Sequence, residues 1–147
     1  MSMHTRSIKL IIESNIDHIP LLSKAVRSVC STVIQDEVLL YNLELCLVEA
    51  VTNVIEHAYH QKLGNLVEVI VTFDENDIVF HVIDLGDKGV IPIPKKELDY
   101  NPKDVSSLPE SGMGLFLIHR IMDEVHLSKK GKKNVLLMKK YVNQTGN

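Results

Sequence analysis

Apolar positions recur along this chain with two different periods, and the switches between them mark out the elements. The β-rich run at residues 7–12 predicts a strand, closed by the turn-forming Glu13-Ser14-Asn15. Ile19, Leu22, Val26 and Val29 then fall at helical spacing, with Asn15 or Asp17 available as a cap, which predicts a helix to about Ser31. A second helix is predicted from about Asp36 to about Gly64. On it Leu43, Leu47, Val51, Val54 and Ala58 cluster on one side, while Glu49 and Asn53, one turn apart, share the other. Two β-rich runs, 66–73 and 78–84, are joined by the polar Asp74-Glu75-Asn76-Asp77 and predict an antiparallel hairpin.

Periodicity then stops. Residues 87–111 carry no sustained pattern and contain Pro92, Pro94, Pro102 and Pro109, four of the five prolines in the chain. A structureless stretch of about 25 residues inside a compact domain is usually a functional lid or a disordered insert, and its place between two glycine motifs favours a lid. After it, 114–122 predicts a helix, and 126–128 and 135–138 predict a closing hairpin across Gly131. Neither an internal repeat nor a second-domain boundary is visible, so residues 1–147 are expected to form a single domain.

Composition narrows what such a domain can do. A chain of 147 residues can bury one core, and with 45% hydrophobic residues, no Trp, four Tyr and three Phe that core is mostly aliphatic. A net charge of -3 and a pI of about 6.1 offer no global basic field, which argues against direct nucleic-acid binding. The local exception, Lys129, Lys130, Lys132, Lys133, Lys139 and Lys140, reads as a solvated hairpin edge. Cys30 and Cys46 fit no metal or redox spacing and are expected as free thiols in a reducing cytoplasm. No apolar run is read as a membrane span, and Arg6 and Lys9 precede only the short Leu10-Ile11-Ile12, so a cytoplasmic protein with no membrane partner is expected.

The chemistry starts on the second helix. A carboxylate that can take a proton, Glu49, beside an amide oxygen that can hold a hard cation, Asn53, suits nucleotide chemistry. On that helix alone a satisfied polar stripe fits equally well. Two downstream signals favour the nucleotide: Ser111-Gly112-Met113-Gly114-Leu115, and Asp84-Leu85-Gly86 after the run 78–83.

Together these three segments resemble the asparagine box and the two glycine boxes of the Bergerat-fold (GHKL, histidine-kinase-like) ATPases, the superfamily that includes gyrase and the histidine kinase catalytic domain. Glu49-Ala50-Val51-Thr52-Asn53 followed by His57-Ala58-Tyr59, then Ser111-Gly112-Met113-Gly114-Leu115 and Met122-Asp123-Glu124-Val125, is similar to the anti-sigma-factor serine/threonine kinases of bacterial partner-switching systems. The resemblance covers roughly residues 8–140.

It implies an α+β fold: a two-layer sandwich with a mixed, mostly antiparallel sheet, helices on one face and an ATP lid. It also implies roles. Glu49 would be the general base, Asn53 a ligand of Mg²⁺, and Asp84 the acceptor for the adenine amine, with Gly86 letting the base lie against the backbone. Ser111, Gly112, Met113, Gly114 and Leu115 would form the phosphate turn, its glycines allowing close approach and the following helix N-terminus adding N–H donors. His57 is expected near the nucleotide; a His57/His60 zinc pair lacks a third ligand.

The implied function is a serine/threonine protein kinase and anti-sigma factor. It would use Mg²⁺ and ATP to phosphorylate an anti-sigma-factor antagonist of the STAS type, sequester a sigma factor or similar regulator, and form a homodimer. The rival is an ATP-dependent regulatory binding module with little turnover. Three departures bear on that choice. Asp84-Leu85-Gly86 is followed by Asp87-Lys88-Gly89, displacing the second glycine by one residue; Pro109-Glu110-Ser111 brings no basic residue to the phosphate turn; and Lys132-Lys133-Asn134 replaces a Gly-Thr common before the final strand, removing one phosphate-side contact.

Overall fold

The computed structural model describes residues 5–86 and 113–142. The elements are β1 (Arg6–Glu13), a 3₁₀ turn (Ile16–His18), α1 (Ile19–Cys30), α2 (Glu37–Asn53) running into a π-helical turn (Val54–Ala58), β2 (Leu66–Phe73), β3 (Asp77–Asp84), α3 (Met113–Ile121), β4 (Glu124–Lys130) and β5 (Lys133–Tyr141). The strands form one sheet in the order β1-β2-β3-β5-β4, and every pairing among the described residues is antiparallel, which sharpens the expected mixed sheet. The expected lid, 87–111, lies outside the described residues.

One sheet face is buried and the helices cover it. Val67, Val69, Val71, Phe80, Val82, Leu136 and Met138 point inward against Leu43, Leu47, Val51, Val54 and Ile118. Alternation delivers this in the strands: β3 is buried at every second residue down to Asp84, which therefore ends on the helix side. Asp36 caps α2 by accepting from the Val38 N–H at 2.9 Å and the Leu39 N–H at 3.3 Å. Arg27 and Ser23 of α1 both bond Glu44, tying α1 to α2 through a half-buried polar cluster.

α2 is apolar over most of its circumference. Glu37–Ala58 is 22 residues long and holds an 18-residue window of mean hydropathy 1.6, long and apolar enough to cross a membrane by length and composition, which corrects the reading that no such run exists. Its surroundings explain the hydropathy: Leu40, Leu43, Cys46, Leu47, Ala50 and Val51 are buried under α1, α3 and the sheet. Cys30 and Cys46 are free and buried, and burial pushes both thiols up to about 12.

The helix also stops sooner than predicted, at Ala58 instead of near Gly64. His60 (φ 53), Gln61 (φ 62) and Gly64 (φ 87) are left-handed. The Gln61 N–H reaches back six residues to bond the Ile55 carbonyl at 2.8 Å, closing the end of the π-helical turn. At the other side of the sheet, Asp123 fixes the α3–β4 junction: its carboxylate accepts from the Tyr141 N–H at 2.7 Å and lies 3.6 Å from Lys140 Nζ.

Candidate functional site

Helical spacing brings Glu49 and Asn53 to one face of α2, as predicted, and the π-helical turn carries that face on. Glu49, Thr52, Asn53, Glu56 and His57 line an open cleft of ≈ 320 Å³, with Gly114 and Leu115 of α3 as the opposite wall. Gly114 is where the walls meet: a Cβ there would overlap the Glu49 carboxylate and come within 3.1 Å of its Cδ. The glycine is needed for close approach, so that the first turn of α3 rests on the proposed base.

The cleft is acidic. Glu49 and Glu56 both face it, and His57 Nε2 stands 4.0 Å from Glu56 Oε2. No Lys or Arg is among its described lining residues. A polyphosphate would meet two carboxylates here, so it enters at low cost only with a cation between. Asn53 suits that cation, because it lines the cleft and its side-chain amide carries a hard oxygen; its Nδ2 is buried without a partner among the described residues. Magnesium takes such oxygen ligands along with phosphates and water. Among the described residues, no cluster of three His, Cys, Asp or Glu could hold a metal by itself.

Asp84 and Gly86 do not line this cleft; they form a second part of the site at the end of β3. Asp84 is 1% exposed. Its Oδ1 accepts from the Gly86 N–H at 2.8 Å and from Asn134 Nδ2 at 2.8 Å, while its Oδ2 is buried with no partner among the described residues. Burial raises the Asp84 carboxyl above the usual carboxylate range, and the bonds from Asn134 and Gly86 pull it back down. An enclosed, unpartnered carboxylate oxygen is costly unless a ligand supplies a donor, and an exocyclic amine would do so.

The two parts are joined at the end of the π-helical turn. Tyr59 donates its hydroxyl to the Leu66 carbonyl at 2.7 Å and accepts from the Leu85 N–H at 2.8 Å. A Cβ on Gly86 would meet the Ala58 carbonyl oxygen at 2.5 Å and its Cβ at 2.7 Å. In this structure, then, the glycine at 86 answers to strand-to-helix packing. Gly86→Ala is expected to destabilise the fold by about 1–3 kcal/mol, because backbone must move. Gly114→Ala is expected to change stability by less than about 1 kcal/mol, since the obstacle is the far end of a flexible side chain and alanine is the better helix former. Thermal melts of the two variants check both.

Of the sequence-predicted residues, Glu49, Asn53, His57, Gly114 and Leu115 meet at the cleft, and Asp84 and Gly86 at the second part. Ser111 and Gly112 lie outside the described residues, as does the Met113 side chain, whose backbone opens α3. Thr52, Glu56, Tyr59 and Asn134 were missed. The first two stand three and seven residues from Glu49, so helical spacing alone could have found them. Asn134 shows only in the strand register, where it pairs with Asp84. Asn134, the last residue of the Lys132-Lys133-Asn134 run that replaces the Gly-Thr, sits against the Asp84 carboxylate.

Comparison with known proteins agrees with this geometry. Residues 12–140 match the family described as histidine kinase-like ATPase domain. The chain is 40% identical over 90 residues to a serine-protein kinase RsbW from Bacillus licheniformis, covering 58% of this chain and 55% of that one. It is 30% identical over 102 residues to the protein of the same name from Bacillus thuringiensis, covering 67% and 62%, and 30% identical over 103 residues to that from Oceanobacillus iheyensis, covering 69% and 65%. The match thus spans less than two thirds of each relative's length. The match over 12–140, most of the chain, makes this protein a member of the histidine kinase-like ATPase domain family.

Proposed function

We propose that this protein is a cytoplasmic serine/threonine protein kinase and anti-sigma factor of a partner-switching system. It uses Mg²⁺ and ATP to phosphorylate an anti-sigma-factor antagonist of the STAS type, and it sequesters a sigma factor or similar regulator as a homodimer. The observation that carries the reading is the placement of the Glu49 carboxylate against Gly114 in the cleft that Asn53 shares. The names of the relatives support the same activity.

In this reading the adenine amine donates to Asp84 Oδ2 and the phosphates run past Gly114 into the acidic cleft. Asn53 would hold Mg²⁺ by its amide oxygen. When bound, the cation spreads the charge of the phosphates. Glu49 takes the proton of the antagonist's serine or threonine hydroxyl as its oxygen bonds the γ-phosphorus and the bond to the β-phosphate oxygen breaks, leaving ADP. Gly114 keeps α3 clear of that carboxylate. Gly114→Ala is therefore expected to lower transfer by about tenfold or more while the fold persists, the cost of a base moved off its position.

Asn53→Ala tests the metal end. Loss of the amide oxygen should weaken ATP by about tenfold or more in the presence of Mg²⁺ and change little in EDTA, so that variant and wild type converge without metal. Calorimetric titration in both buffers reads this. The activity is tested by incubating the protein with ATP and the product of each neighbouring reading frame, then mapping phosphoserine and phosphothreonine by mass spectrometry. Phosphate on one partner is expected; no phosphate on any partner that binds would overturn the kinase reading.

A further inference from the structure

We infer that Asn134 is a positioning residue that sets the nucleobase preference of this site, holding Asp84 so that only an acceptor faces the base. The inference rests on the nucleotide reading above and adds a specificity determinant to it. Asn134 lies on β5, directly across from Asp84 of β3, and is 6% exposed. Its Nδ2 donates at 2.8 Å to Asp84 Oδ1 and at 2.8 Å to the Gly86 carbonyl. A primary amide has two N–H groups, and both are spent inside the protein.

The orientation of that amide is fixed by its partners. Turned over, it would set its carbonyl oxygen against Asp84 Oδ1 and the Gly86 carbonyl, three acceptors together with no proton among them. Held as it is, Asn134 joins the Gly86 N–H in saturating Asp84 Oδ1. What remains for a ligand is Asp84 Oδ2, buried, unpartnered among the described residues and a pure acceptor while the carboxylate is ionised. A 6-amino purine brings an N–H to that atom; a 6-oxo purine brings a second acceptor, and the pair repels.

Asn134 therefore does two things for the base. It aims Oδ2 by anchoring Oδ1, and it supplies a hydrogen bond that favours the ionised carboxylate against the burial that favours the acid. A protonated Asp84 would present an O–H and accept the 6-oxo base that the ionised form refuses. The groups around it do not replace this contribution: Tyr59, from the end of the π-helical turn, has its hydroxyl engaged by Leu66 and Leu85, and Lys129, across β5 from Asn134, is exposed on β4.

The test compares two substitutions of nearly the same shape, Asn134→Thr, which keeps one donor, and Asn134→Val, which has none. Both are β-formers, and Asn134→Ala reads the same ratio as Val should Val fail to fold. The readout is the ratio of affinities for ATP and inosine 5′-triphosphate, each titrated into full-length protein with Mg²⁺, on samples whose melting curves show them folded. Wild type is expected to prefer ATP by about 10²-fold, since a site built for an N–H rejects the analogue lacking it. Asn134→Thr should retain that ratio to within about threefold, and Asn134→Val should lose about tenfold or more of it, since the anchoring donor is gone. A wild-type ratio in folded Asn134→Val, or loss of the ratio in both variants, would overturn the role of Asn134 and leave the ATP site standing. Failure of wild type to bind ATP would overturn the nucleotide reading and this inference with it.

Discussion

Asp84→Asn is expected to weaken ATP by about tenfold or more while leaving the ligand-free fold at least as stable as wild type. The weakening follows from the free oxygen: an amide at 84 keeps an acceptor for Gly86 and Asn134 but turns an N–H, not an acceptor, toward the adenine amine. The stability side follows from burial. Asp84 is raised above its ordinary value in the folded protein, so between the unfolded value and the folded one the native state holds a proton that the unfolded chain has released. Stability from this group is full below the unfolded value and declines as pH rises through the folded one. Above the folded value the ionised, enclosed carboxylate is thus a cost of the apo fold, and asparagine does not carry it. A gain of about 2–4 °C in melting temperature would correspond to roughly 1 kcal/mol for a chain of this size. The same melts repeated at successively lower pH should narrow the gap between variant and wild type, as the folded carboxyl takes up its proton. Calorimetry reads the affinity, and an ATP dissociation constant within about twofold of wild type would remove Asp84 from the site.

Glu49→Gln separates chemistry from binding. Glutamine keeps the length and one acceptor oxygen but cannot take the hydroxyl proton, so phosphoryl transfer should fall by about 10²-fold or more. ATP affinity should stay within about threefold of wild type, since removing a negative charge from an acidic cleft does not harm a polyanion. Asn53→Ala should differ by losing Mg²⁺-dependent affinity and transfer together. Rapid-quench transfer beside calorimetry on each variant gives the two patterns. Transfer by Glu49→Gln at the wild-type rate would mean that another group is the base or that none is needed.

The parts of the fold legible in the sequence are those that a single element encodes. The period of α2 shows its buried side at Leu43, Leu47 and Val51 and its functional side at Glu49 and Asn53, because 3.6 residues per turn fixes both faces at once. The hairpin of β2 and β3 is equally local. What the sequence hides is set by partners far along the chain. β5 runs from Lys133 to Tyr141, longer than its apolar run 135–138, because its backbone pairs with β3 from Asn134 to Tyr141 and carries Lys139 and Lys140 with it. The early end of the helix depends on His60 and Gln61 taking left-handed conformations that those residue types rarely adopt. Asn134 shows only as part of a replaced Gly-Thr until the register sets it against Asp84, and the packing need for Gly86 shows only once Ala58 is found beside it.

The most direct measurement of the proposed activity is a single-turnover experiment in which wild-type protein, in excess over γ-labelled ATP, is mixed with its cognate antagonist and Mg²⁺ and quenched over time. The expected result is label on a serine or threonine of the antagonist, rising to near the amount of ATP bound and abolished by EDTA. An antagonist that binds in an ATP-dependent way and stays unlabelled would contradict the kinase reading and make the protein an ATP-dependent binding module.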